Sequence, residues 1–478
     1  MEDTLKYKTV KGVGWSFADN MANSGITFLV GLILARLLTP EEFGILGMIT
    51  IFIVVSNTII DSGFSSALIR KKDAVHIDYN TVFYFNLFIS IFLYAILCFS
   101  APLIGTFFHE PLLIPVTRVL GVVLVINSLS IIQRTLFIKK VDFKTQTKIS
   151  FISSLSSGFA GITMAYCGCG IWSLVFQQII RQFVATILFW IYNSWRPLWE
   201  FSYSSFKGLF NYGSKLLFSS LLDTLFNNIY YLIIGRCYSA YQLGQYSRAE
   251  QFNMISGNMI AVIQKVSLPV LCSIQDDNES LKKAYKQLVK LSMSITFAFM
   301  LGLAAIAKPL IIVLIGDQWE DAIIYLQIIC FSGMMTPLHG INLNLLQVKG
   351  LSNLFLKLEI YKKIIIIVPI TIGVFYGVIP MLVVNVFISF LNFILNSMYS
   401  CKIINYSTLE QVIDILPSFF ISLSVALSIW FVNFLGLATL PTLFLQCILG
   451  LSLNIYLYKI FKHDIYSELK SVLFYVIK

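Results

Sequence analysis

The chain is predicted to be an all-α polytopic membrane protein. About fourteen transmembrane helices form two six-helix lobes that repeat in parallel, followed by two extra helices at the C-terminal end. Three observations lead there. Of 478 residues, 57% are hydrophobic and only 12% charged, about half the charged share of a soluble domain. The apolar residues fall in runs of roughly 20, the length a helix needs to cross about 30 Å of hydrocarbon, and they do not alternate as barrel strands would. One short polar turn is also written twice. Ile33 to Gly44 reads Ile-Leu-Ala-Arg-Leu-Leu-Thr-Pro-Glu-Glu-Phe-Gly, and Ile233 to Gly244 reads Ile-Ile-Gly-Arg-Cys-Tyr-Ser-Ala-Tyr-Gln-Leu-Gly, with Ile33/Ile233, Arg36/Arg236 and Gly44/Gly244 identical.

Taken in order, the polar breaks place spans at 13–37, 43–68, 79–101, 114–133, 149–166, 170–192, 213–236, 244–272, 288–307, 321–348, 359–376, 379–400, 412–435 and 439–458. The first follows Lys6, Lys8 and Lys11 but is too long for a signal peptide and lacks a small-residue cleavage site, so it reads as a retained helix. A second repeat supports two halves. Pro102-Leu103-Ile104 and Pro309-Leu310-Ile311 each end the third span of their half, followed at the same offset by Glu110 and Asp317. The expected divisions are therefore an N-terminal lobe (1–192), a connector (193–212), a C-terminal lobe (213–401), and the last two spans with a tail (402–478). An even number of spans per lobe keeps both in one orientation, related by an axis along the membrane normal. The connector is dense in rings, from Trp195 and Trp199 to Phe210 and Tyr212, and such density belongs at a headgroup interface.

With the N-terminus inside, the cytoplasmic segments hold 27 of the 34 Lys and Arg and the outer segments five. Basic loops stay on the cytoplasmic side, so both termini are expected there. The net charge of +10 is then a consequence of topology, and nucleic-acid binding is not expected. The eight cysteines are scattered. Cys167 and Cys169 are too close for an easy disulfide and wrongly spaced for zinc, so no metal site is expected.

Ionisable groups inside spans cost about 2.5–3.5 kcal/mol each at a helix centre and usually meet a cavity or a partner. Arg181 lies near the middle of the sixth span with Gln177, Gln178 and Gln182 within a turn. It is open to two readings: a hydrogen-bonded packing residue, or a fixed cation for an anionic ligand, for which the planar guanidinium fork suits phosphate. Arg248 and Lys265 in the eighth span join it as candidate cations, with interfacial pairing and snorkelling toward the inner face as their alternatives. Asp19 and Asn23 on the first helix, four residues apart, match Ser219 and Asp223 on the seventh. Asp19 and Asp223, with Asp61 as a third membrane acid, are candidates to couple H+ or Na+, or else to make structural hydrogen bonds. Glycine loops for ATP, paired metal-binding histidines and a serine elbow are all missing from the sequence, so neither an enzyme nor a cofactor is expected.

Several stretches resemble one family. These are Ala35 to Gly44, Asp61 to Ile69, Leu243 to Glu250, and the run from Lys308 through Gly316-Asp317-Gln318-Trp319 to Ile328. They look like polysaccharide exporters of the Wzx and teichuronic-acid type, within the multidrug/oligosaccharidyl-lipid/polysaccharide flippase superfamily. The resemblance covers nearly the whole chain. It implies a MATE-like, V-shaped pair of six-helix lobes plus two helices in a bacterial inner membrane. It also implies movement of an undecaprenyl-diphosphate-linked oligosaccharide between leaflets, among membrane lipids and beside a polysaccharide polymerase or glycosyltransferases. Arg248 falls within a matched stretch; Arg181 and Lys265 stand on the residue reading alone. Two other functions stay open, a cation-coupled multidrug efflux antiporter of the same superfamily and a non-transporting scaffold for polysaccharide assembly.

Overall fold

In the computed structural model residues 23–461 are described, without the side chains of 255–270, 273 and 352, and every regular element among them is helical. The first expected span appears as α1 (Asn23–Leu37). Then come α2 (Pro40–Asp61), α3 (Phe64–Arg70), α4 (His76–Phe108), α5 (Leu113–Leu120), α6 (Val122–Lys139), α7 (Phe143–Tyr166) and α8 (Ile171–Tyr192). The chain continues through α9 (Tyr203–Asn227), α10 (Ile229–Cys237), α11 (Ala240–Ser273), α12 (Asn278–Leu314), α13 (Glu320–Gly333) and α14 (Thr336–Val348). It closes with α15 (Ser352–Ile365), α16 (Ile367–Tyr376), α17 (Val378–Ile404), α18 (Thr408–Phe431) and α19 (Thr439–Phe461).

Helices lie along the described part of each of the fourteen expected runs. Among the described residues ten helical stretches are long and apolar enough to cross a membrane, and the pair α9–α10, bent by 41°, makes an eleventh. The difference from fourteen has local causes. Only 15 residues of the first run are described, as Asn23–Leu37, and the run at 359–376 is broken at Ile366 between α15 and α16. The early turns of α11 are rich in polar groups, including Gln245, Arg248 and Glu250.

Caps explain several helix starts. Asp142 accepts from Thr145 N at 3.1 Å before α7, and Asp277 accepts from Glu279 N and Ser280 N before α12. Before α18, Ser407 and Glu410 exchange hydrogen bonds at 3.1 Å in a reciprocal capping box. Pro102 and Pro309, expected to end their spans, instead lie inside α4 and α12. A proline removes one backbone donor, a loss that membrane helices tolerate when their surroundings re-satisfy the freed carbonyl.

The chain divides into two compact units, residues 1–247 and 248–478. In the first, Phe64, Leu68, Tyr79, Phe83, Ile132 and Leu209 form a core joined by Trp190, Trp195 and Phe206. The connector is thus partly folded inward: Trp195 packs on Phe83 at 5.7 Å, while Trp199, stacked on Tyr84, is 94% exposed. Within the second unit, Lys286 and Lys290 on α12 clamp Asp414 on α18 at 2.9 and 3.0 Å. Tyr406 also donates to Asp414 at 2.8 Å. Burial first, and then the carboxylate beside it, hold the Tyr406 hydroxyl well above the usual tyrosine range.

The repeated turn has a physical counterpart inside the first unit. A Cβ built on Gly44 would lie 1.7 Å from the carbonyl oxygen of Ala240, and one on Gly244 would lie 1.8 Å from that of Pro40. Residues 40/240 and 44/244 share the offset of 200, so each glycine rests on the other copy's equivalent carbonyl. The starts of α2 and α11 meet backbone to backbone, which only glycine permits.

Candidate functional site

The polar residues of the first unit form a seam across its helices. Arg181 on α8 is half-buried, and its Nη2 donates to Asn23 Oδ1 on α1 at 2.9 Å. The same oxygen accepts from Ser154 Oγ of α7 at 2.7 Å. Next on α8, Gln182 turns to α6, donating to Asn127 Oδ1 at 3.0 Å and Ser130 Oγ at 3.2 Å. Asn127 passes the chain on to Asn57 of α2 at 2.8 Å. One residue further along α2, the Thr58 hydroxyl lies 3.2 Å from that of Thr224 on α9. Beyond it Ser65 donates to Asp61 and is itself met by Thr135 at 3.2 Å.

The electrostatics centre on Arg181. No carboxylate lies within ion-pairing distance of it among the described residues. Of its five N–H donors, one is used by Asn23 and none of the others has a described partner. A half-buried guanidinium with an open fork is a fixed positive charge without a counter-ion, and such a charge attracts an anion into a low-dielectric site.

The other candidate residues scatter. Asp61 meets Ser65 and not Arg181. Asp223 is exposed on α9, and its neighbour Thr224 is the residue that faces α2. Arg248 is partly buried at the start of the second unit. Two residues on, Glu250 accepts from Asn253 at 3.3 Å. Asp19 lies outside the described residues, and Lys265 lies on α11 among the residues whose side chains are not described. The polar face drawn from Gln177, Gln178, Arg181 and Gln182 is also divided, since Gln177 packs against Gly161 of α7. Sequence reasoning missed Asn57, Asn127, Ser130 and Ser154. The pairs Asn57/Asp61 and Asn127/Ser130, spaced four and three apart on their helices, were the available signal. Among the described residues there is no cluster of three or more His, Cys, Asp or Glu that could hold a metal ion.

In the second unit, α12, α18 and α19 line an apolar cavity of about 630 Å3 that is open to the outside. Its walls are mostly aliphatic, from Ile295 and Leu303 to Ile429 and Leu451, with Gln446, Asn454 and Tyr458 as polar points.

A sequence profile of the family described as "Polysaccharide biosynthesis protein" matches residues 33–324, more than half of the chain. The chain belongs to this polysaccharide biosynthesis family. Across 459 residues it is 25% identical to the lipopolysaccharide biosynthesis protein WzxC of Escherichia coli K12, covering 94% of this chain and 89% of that one. It is likewise 25% identical to the teichuronic acid biosynthesis protein TuaB of Bacillus subtilis, over 73% of each. Among solved structures, the lipid II flippase MurJ in an inward closed conformation matches with a TM-score of 0.77 at 14% identity, over 95% of this chain and 99% of that one. An inward-facing multidrug resistance transporter of the MATE family matches with a TM-score of 0.63 at 16% identity, over 80% and 96%. This member of the polysaccharide biosynthesis family therefore has the all-helical fold seen in MurJ and MATE transporters and is a multi-pass membrane protein.

Proposed function

We propose that this chain is a flippase that carries an undecaprenyl-diphosphate-linked oligosaccharide, a repeat unit of O-antigen, capsule or exopolysaccharide, across the bacterial inner membrane by alternating access. Both termini are cytoplasmic, the cycle draws on a proton or sodium gradient, and the chain moves its substrate without transforming it. The observation that carries this reading is Arg181, a half-buried cation with an open fork and no described carboxylate partner. A diphosphate crossing the membrane core costs several kcal/mol or more if left bare, and a fixed guanidinium offsets some of that. Arg248 and Lys265 are the further cations of the path, and Asp19, Asp61 and Asp223 the acids that couple it to an ion. The apolar cavity of the second unit suits an isoprenoid chain better than a sugar.

The test is flipping of a fluorescent undecaprenyl-diphosphate oligosaccharide in reconstituted vesicles. Native protein is expected to flip it, and Arg181→Ala and Arg181→Gln to lose at least about tenfold in rate, the loss of one charge-assisted contact. Native rates in both variants would make Arg181 structural. No movement by native protein, with or without an ion gradient, would overturn the flippase reading.

A further inference from the structure

We propose that the cleft between the C-terminal end of α3 and the first turns of α9 binds a phosphate group, the chemistry carried by an anionic lipid headgroup. The cleft holds about 400 Å3 and has Arg70 and Lys71 on one wall and Ser204, Ser205, Gly208 and Tyr212 on the other. This is within the range of small-ligand sites. It shares no residue with the seam around Arg181.

Two glycines set its geometry. A Cβ on Gly63 would lie 2.6 Å from the carbonyl oxygen of Gly213, and one on Gly213 would lie 2.7 Å from that of Ser62. The start of α3 is therefore pressed onto α9, and its last residues are brought against the opening turns of that helix. Arg70 stands with its guanidinium carbon 4.5 Å from the centre of the Tyr212 ring. No carboxylate pairs with it among the described residues. The ring orients the guanidinium plane and leaves its N–H edge for a ligand. Lys71 is partly engaged: it holds the fully buried carboxylate of Asp78 at 2.7 Å, so it adds field more than a free donor. Opposite, Ser204 and Ser205 occupy the first turn of α9; Ser205 is engaged, its N–H donating to Ser202 Oγ at 3.3 Å and its hydroxyl to Asp78, so Ser204 is the donor left at this positive helix end. Gly208 keeps the cleft open, since a Cβ there would meet nothing within 4 Å.

The depth of the cleft argues for a lipid. Immediately before it, Trp199 is 94%, Phe201 55% and Tyr203 70% exposed. Exposed rings in a chain of this composition belong at the level of lipid headgroups, so the cleft opens where phosphodiesters are dense. A planar fork above, a cation beside it and the Ser204 hydroxyl and N–H opposite make a set of donors for phosphate oxygens.

The test uses the full chain, purified and delipidated in neutral detergent, with Arg70→Gln, Arg70→Lys and Gly208→Leu as variants. Gly208→Leu fills the cleft without touching a charge. Retention of added phosphatidylglycerol is read by native mass spectrometry, and the response to inorganic phosphate by the shift in melting temperature without lipid. Arg70→Gln and Gly208→Leu should each retain roughly tenfold less phosphatidylglycerol than native protein, as expected for loss of a charge-assisted contact, with Arg70→Lys between. That result with no response to inorganic phosphate assigns a lipid headgroup. A melting shift with inorganic phosphate in native protein and in neither Arg70→Gln nor Gly208→Leu assigns a free phosphate to the same site. Equal retention and equal phosphate response in native protein and both variants overturns the site.

Discussion

Asn23 accepts from Ser154 and Arg181 through a single oxygen, so a change there reaches α7 and the cation together. Asn23→Asp would set a carboxylate 2.9 Å from the guanidinium and neutralise it. Flipping should then fall about as far as in Arg181→Gln, while the melting temperature holds or rises. Loss of both activity and fold in Asn23→Asp would tie Asn23 to packing. Asn127 is a different case, because it accepts from Gln182 and donates to Asn57. Asn127→Leu should lower stability by about 1 kcal/mol, since interhelical hydrogen bonds in lipid average about 0.6 kcal/mol and two are lost. A melting curve in detergent checks it. Arg181 was legible in the sequence because one charge in an apolar span stands out. Asn23 stood out only through its spacing from Asp19, and Asn57 and Ser154 did not, because a lone Asn or Ser in a membrane helix is ordinary until the fold supplies its partner.

At the scale of elements the crossing of α2 and α11 discriminates between glycines. Gly44→Ala and Gly244→Ala must push apart a pair of backbones whose oxygens lie 1.7 and 1.8 Å from the new methyl groups. Gly302→Ala on α12 meets open space and should gain up to about 1 kcal/mol of helix propensity. Melting temperature should therefore fall for the first two and hold or rise for the third. A fall of the same size in all three would remove the crossing as the cause. The start of α12 also carries a pH dependence. Hydrogen bonds from the Ser280 side chain first, then from Ser280 N and Glu279 N, hold the Asp277 carboxyl below its usual range. A depressed folded value gives stability that is present above the unfolded value of about 3.9; it is lost as pH falls through the folded one. Amide exchange in the first turn of α12, corrected for its intrinsic rate, should quicken below about pH 4, and Asp277→Asn should abolish that dependence. The twelve-residue repeat at 33–44 and 233–244 announced that two helix starts were alike. That they touch depends on the fold, and so does the passage of α4 and α12 through Pro102 and Pro309, which local preference would have stopped.

For the whole chain, the distribution of charge sets the expected orientation. The helices α7, α9, α12 and α18 open on side-chain caps from Asp142, Ser202, Asp277 and Ser407. The segments expected on the cytoplasmic side hold 27 of the 34 Lys and Arg. Helices expected to leave the opposite side divide: α8 and α17 open on Gly170 and Gly377, while Ser239 accepts from Gln242 N at 3.2 Å before α11 and Glu42 accepts from Thr39 N at 2.8 Å before α2. Beside an anionic leaflet each Lys or Arg gains about 1 kcal/mol, so the basic side should be cytoplasmic. In a cysteine-free background, a membrane-impermeant thiol reagent should label Leu112→Cys and Leu437→Cys in intact cells, and Asp276→Cys only after permeabilisation. Positions 112, 276 and 437 are all exposed, so labelling reads sidedness and not burial. The reverse pattern would place Arg70 and its cleft on the outer face. That outcome would sink the cytoplasmic placement of the termini.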